Sequence, residues 1–143
     1  MVQRPESRTE LAAPATRSLD SGTILVVDDD PVTRTVVSAI LKLEEDYHVL
    51  EAEDGRRALE LAKAARPALI VLDLTMPELD GFAVCRALRA DNELAMMRVL
   101  ILSAHGDEDD KALAERMGAD AYLTKPFSSL GLVEVVRQLT DEE

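Results

Sequence analysis

Cysteine is nearly absent from this chain: Cys85 is the only one in 143 residues. One thiol builds no internal disulfide framework, and the composition suits a reducing compartment. Long hydrophobic runs are missing too. No apolar stretch approaches the roughly 18 residues that would suggest a membrane span, and the N-terminus has no apolar core of a secretory signal. The cytosol is the expected location. Positive charge is scarce: 16 Lys and Arg stand against 28 Asp and Glu, a formal charge of −12. A field of that sign argues against nucleic acid or an anionic membrane as a direct partner. What the chain does have is apolar content, 47% of its residues. That is enough for one globular domain with a self-sufficient core at this length.

Residues 1–20 differ from the rest. They show no strand alternation, only a fragment of helical patterning, and two interrupting prolines, Pro5 and Pro14. They are expected to form a flexible leader, with the domain over 21–143. Arg4, Arg8 and Arg17 balance Glu6, Glu10 and Asp20, so the whole −12 falls on the domain.

From Thr23 onward short aliphatic runs alternate with amphipathic segments. The runs predict strands at Ile24–Val27, His48–Ala52, Ala68–Leu72, Val99–Leu102 and Ala121–Leu123. Helices are predicted from Asp30-Pro31 to about Leu43, from Gly55 to before Pro67, from Gly81 to about Arg89, over Asp107–Met117, and over Ser128–Leu139. Asp30 followed by Pro31 has the form of an N-cap with proline at the first helical position. Gly118 suits a C-cap. On the first helix Val32, Val36, Ile40 and Leu43 fall on one stripe, which is the expected inward face, leaving Val37 outside. Strands apolar on both faces, joined by helices, imply a parallel sheet covered on both sides. The expected fold is α/β, a flavodoxin-like doubly wound (βα)5 with strand order 2-1-3-4-5.

In such sheets a ligand sits beyond the carboxyl ends of the strands. Those positions hold Asp28, Asp29 and Asp30 after the first strand, Asp73 after the third, Ser103 after the fourth, and Lys125 with Pro126 after the fifth. Clustered carboxylates raise one another's pKa unless a cation is present. Oxygen donors without His or Cys favour a hard metal, Mg²⁺ before Zn²⁺. An ammonium and a hydroxyl opposite suit a phosphoryl group. One carboxylate can then be the nucleophile and become an aspartyl-phosphate. Asp30 fits a structural cap better than a ligand. Cys85 fits a buried helix face.

At these residues the sequence resembles the receiver domain of bacterial two-component response regulators. The resemblance rests on ILVVDDDP (24–31), LIVLDLTMPELDGF (69–82), VLILSA (99–104) and YLTKPF (122–127), and spans about residues 23–140. It implies that Asp73 accepts a phosphoryl group from a phosphohistidine. Asp28 and Asp29 would be the acidic pair, and Mg²⁺ (or Mn²⁺) would be held by them, by Asp73 and by the backbone carbonyl of Thr75. Ser103 would be the switch hydroxyl, Tyr122 the aromatic switch residue, and Lys125 the partner of the phosphoryl oxygens, ahead of a cis Pro126. Thr75 and His105 would flank the path of hydrolytic water and tune the lifetime of the phosphoryl group. The implied partners are a sensor histidine kinase or histidine phosphotransfer protein, and a downstream protein at the face of helix 4, strand 5 and helix 5. Such a chain is a phospho-acceptor rather than a turnover enzyme. A Val37 face is a further expected kinase contact.

Rival readings are weaker. A haloacid-dehalogenase-like phosphatase wants a second acid where Thr75 stands. A nucleotide or flavin module wants a glycine-rich first turn, and here that turn is Asp-Asp-Asp-Pro. A phosphorylation-independent binding module and a receiver cut from a larger regulator stay open. Leu130-Gly131 and Glu134-Val135 replace the helix-5 pattern of DNA-binding receiver dimers, so a monomer or weak dimer is expected.

Overall fold

The computed structural model describes residues 19–74, 81–104 and 108–141. The elements in chain order are β1 (Asp20–Val27), α1 (Pro31–Lys42), β2 (His48–Ala52), α2 (Gly55–Ala65), β3 (Pro67–Asp73), α3 (Gly81–Ala90), β4 (Arg98–Ser103), α4 (Glu108–Arg116), β5 (Ala121–Thr124) and α5 (Ser129–Asp141). All paired strands are parallel, in the order β2-β1-β3-β4-β5. This is the flavodoxin-like doubly wound arrangement expected from the sequence.

The aliphatic runs divide by parity, as side chains on a strand must. Leu25, Val27, Ile70, Leu72 and Ile101 join one buried cluster with Ala58 and Ala62 of α2 and Val84, Cys85 and Leu88 of α3. Ile24, Val26, Leu69, Val71, Leu100 and Leu102 join the other, with Val37 and Leu41 of α1 and Leu132 and Val136 of α5. Both faces are covered, which is why the strands read as continuous apolar runs.

Helix ends follow local chemistry. Asp30 caps α1, accepting the Val32 amide at 3.1 Å and the Thr33 hydroxyl at 2.7 Å, with proline in the first turn. Asp54 caps α2 through the Arg57 amide at 2.8 Å.

The inward face of α1 is the reverse of the expected one. Val37 is buried at 1% exposure along with Ser38 and Leu41, while Val32 (70%), Val36 (50%) and Leu43 (81%) face solvent. The helix carries two aliphatic stripes, so helical periodicity alone does not select one. The sheet contact selects the stripe of Val37 and Leu41, with Ile40 at its border. Strand β1 also starts earlier than predicted, at Asp20. Asp20 pairs with Pro67, and the register shifts before Ile24.

At the end of the sheet opposite the strands' carboxyl ends, Arg89 ties three backbone segments together. Its guanidinium donates to the carbonyls of Ala95 (2.8 Å), Met97 (2.5 Å) and Gly118, and to the Asp120 carboxylate at 3.0 Å. Gly118 has φ of +100°, and a Cβ there would lie 2.7 Å from Arg89 Nε. Gly118→Ala therefore meets both backbone strain and a clash with the Arg89 lock. The expected loss is about 1–3 kcal/mol, read as a lowered urea midpoint with an unchanged slope.

Candidate functional site

The carboxyl ends of β1, β3, β4 and β5 meet at one end of the sheet. Asp73 is the last residue of β3, buried at 3% exposure. It sits at the strand end because Leu72 completes the apolar run and the chain must leave the sheet. Its Oδ2 accepts Lys125 Nζ at 2.8 Å. Lys125 follows β5, and its backbone N–H donates to the Ser103 carbonyl at 2.7 Å. The Lys125–Pro126 peptide is cis. Ser103 closes β4 and is fully buried. Tyr122 lies within β5, partly buried against the cluster on the α2–α3–α4 face.

Asp28 follows β1 and is 2% exposed. Its N–H donates to the Ala52 carbonyl at 3.1 Å, its Oδ1 accepts the Asp30 amide at 2.9 Å, and its carbonyl accepts Arg34 Nη1 at 2.7 Å. Burial pushes its carboxyl pKa up to about 6. The Asp30 amide works against that rise, as does Lys125, whereas the charges of Asp73 and Asp29 add to it. Asp29 is exposed. Asp30 is fully occupied as a cap, and its pKa is lowered first by the Thr33 hydroxyl and then by the Val32 amide. Cys85 is buried, and desolvation raises its thiol to about 11, which makes it an unreactive core residue.

Thr75 and His105 lie outside the described residues, as does Asp107. Two neighbours of the site gave no signal in the sequence. Arg34 reaches the Asp28 carbonyl from the second turn of α1. Gly81 brings the start of α3 so close that a Cβ would lie 3.1 Å from the Asp73 carbonyl oxygen. A charged residue one turn into an N-capped helix has the pattern of an ordinary solvated position, so only the fold shows its target.

Among the described residues no group of three or more His, Cys, Asp or Glu side chains forms a ready metal cage. The donors present still fit a hard divalent cation. Asp28 and Asp73 are both buried and their like charges repel, and among the described residues no group of His or Cys side chains offers a softer site. Mg²⁺ needs only one or two protein carboxylates, because it retains several waters.

Residues 24–137 match the family of the response regulator receiver domain. The chain belongs to that family. It is a receiver of two-component signalling, and receivers are phospho-acceptors that work with histidine kinases or phosphotransfer proteins. Over 116 residues it is 44% identical to the DNA-binding dual master transcriptional regulator RpaA of Synechocystis sp., covering 81% of this chain and 48% of that protein. Over 113 residues it is 35% identical to Protein PilH of Pseudomonas aeruginosa, covering 79% of this chain and 93% of that one. The receiver thus spans about half the length of relatives such as RpaA. Among solved structures, the Vibrio cholerae chemotaxis protein CheY4 superposes with a TM-score of 0.78 at 31% identity, covering 82% of this chain and 98% of CheY4. A response regulator from Chloroflexus aurantiacus gives 0.80 at 30%, with coverage of 85% and 98%. Among the described residues no helix is long and apolar enough to cross a membrane.

Proposed function

We propose that this receiver takes a phosphoryl group onto Asp73 from the phosphohistidine of a sensor kinase or phosphotransfer protein in the cytosol. The reading is carried by the buried Asp73 carboxylate, paired with Lys125 at 2.8 Å and acting on Asp28 as a like charge. An oxygen of Asp73 forms the new P–O bond as the P–N bond to the donor imidazole breaks. The electron pair and then a proton go to the ring nitrogen. Asp28 and Asp29, with Asp73, would hold Mg²⁺, which supplies charge neutralisation for the phosphoryl oxygens. Lys125 passes from Asp73 to a phosphoryl oxygen, and the Ser103 hydroxyl donates to another.

The switch follows from those two contacts. Ser103 and Lys125 are tied by a backbone hydrogen bond across β4 and β5, and Tyr122 lies three residues before Lys125. Any preference of the phosphoryl group for one arrangement of Ser103 and Lys125 biases the β5 edge and Tyr122. The face formed by α4, β5 and α5 is therefore the output surface, read by a downstream protein. Neither the reaction nor the switch needs turnover of a second substrate. The receiver promotes its own phosphorylation and dephosphorylation, with Thr75 and His105 assigned to tuning the second.

Incubation with acetyl phosphate and Mg²⁺ tests the reading by intact-mass measurement. One added phosphoryl group, dependent on Mg²⁺ and released by hydroxylamine as an acyl phosphate must be, is the expected result. Uptake that survives EDTA or resists hydroxylamine would overturn it.

A further inference from the structure

We infer that Arg34 is the positioning residue for the acidic pair: it fixes the peptide plane between Asp28 and Asp29 and so sets the affinity of the site for a divalent cation. This deepens the proposed function and rests on it.

The Asp28 carbonyl lies beyond Val27, the last β1 residue paired on both sides. Arg34 takes over that carbonyl at 2.7 Å through Nη1. The contact is a charge-assisted bond, shorter and stronger than a neutral one. The carbonyl of Asp28 and the N–H of Asp29 belong to one rigid peptide unit. Holding the carbonyl therefore holds the direction in which Asp29 leaves the strand. The guanidinium is aimed by a second contact, Arg34 Nε to Glu51 Oε1 at 3.2 Å, and Glu51 also meets Lys42 Nζ at 3.6 Å. Glu51 lies on β2, next to Ala52, whose carbonyl receives the Asp28 N–H. Asp28 is thus clamped from both backbone sides and at its carboxylate by the Asp30 amide.

A purely structural role for Arg34 as an ion pair is the weaker account. The Arg34 and Glu51 side chains are 20% and 33% exposed, and pairs that meet water contribute little. Arg34 meets the Asp28 backbone carbonyl and not its carboxylate, whereas Asp73, Lys125 and Asp29 act on the carboxylate by charge. What Arg34 supplies is direction. Groups that orient metal ligands from behind typically cost about 10–100-fold in metal affinity when removed.

The experiment compares Mg²⁺ titration calorimetry with urea unfolding in EDTA for wild type, Arg34→Ala, Arg34→Lys and Arg137→Ala. Arg137 makes a similar ion pair, with Glu44 at 2.8 Å, at the α1–β2 connection and away from the site. Arg34→Ala is expected to weaken Mg²⁺ binding by about 10–30-fold. Arg34→Lys recovers only part of the loss, because an ammonium lacks the fork that spans Glu51 and the carbonyl. Arg137→Ala leaves the Mg²⁺ affinity unchanged and moves the urea midpoint little, since its ion pairs also meet water. If Arg34→Ala does not fold, Glu51→Gln replaces it, with an expected loss of about threefold from the untethered guanidinium. A wild-type Mg²⁺ affinity in Arg34→Ala, or in Glu51→Gln where that stands in, sinks the inference while leaving the proposed function intact. Wild-type protein that binds no Mg²⁺ sinks both.

Discussion

Asp73→Asn takes up phosphoryl from acetyl phosphate at least about two orders of magnitude more slowly than wild type. The amide is nearly isosteric with the carboxylate, so the buried position at the end of β3 stays filled. What changes is chemistry. A neutral amide oxygen is a poor nucleophile, and the O-phosphorylated imidate it would form loses the amide resonance and is far less stable than an acyl phosphate. Lys125, now 2.8 Å from Asp73 Oδ2, also loses its anionic partner. The fold tolerates this because opposing changes partly offset: the ion pair is weakened, and the like charge on Asp28 is relieved. Circular dichroism of the variant should overlay that of wild type. Mass spectrometry over a time course reads the rate. Uptake within about threefold of wild type, still sensitive to hydroxylamine, would move the acceptor away from Asp73.

Much of the fold is legible in the sequence because the signals are local. A parallel strand covered on both faces must be aliphatic throughout, and Ile24–Val27, Ala68–Leu72 and Val99–Leu102 are. Asp30 and Asp54 announce their helices because an N-cap is satisfied within three residues. The residues brought to the carboxyl end of the sheet are legible for a topological reason: once the strands are placed, the next residue of each lies at the same edge. The packing of α1 is not local. Val32 and Val37 are equally apolar, and only the sheet beneath decides that Val37 turns inward. The Arg34 clamp and the Arg89 lock are hidden for a related reason. Each reaches outside its own helix, across 6 to 29 residues of sequence, and an arginine on a helix carries no mark of the carbonyl it will reach. Thr75 and His105, assigned by resemblance alone, lie outside the described residues.

In EDTA at pH 7.5, Asp28→Asn should melt about 3–8 °C above wild type, equivalent to about 1–2 kcal/mol. The Asp28 carboxyl titrates at about 6 in the fold, against 3.8 for an unperturbed group. Its charged form is therefore disfavoured by folding, and that cost is fully present above pH 6. It fades as the pH falls through 6 and is gone near 4, where the group is protonated in both states. Asn never carries the charge, yet its Oδ1 can still accept the Asp30 amide that Asp28 holds at 2.9 Å. The advantage of the variant is accordingly large at pH 7.5, smaller at pH 6 and negligible near pH 4. The full shift is discounted to about 1–2 kcal/mol because the amide that replaces the carboxylate is itself a buried polar group and carries its own desolvation cost. Saturating Mg²⁺ should reverse the order. Wild type gains stability in proportion to the logarithm of cation concentration over its dissociation constant, and the variant, with one carboxylate fewer, gains far less. Scanning calorimetry at three pH values, with EDTA and with Mg²⁺, measures all of this. A variant no more stable than wild type in EDTA at pH 7.5 would mean that Asp28 is not held against its own charge. A variant that stays ahead in Mg²⁺ would remove Asp28 from the cation site.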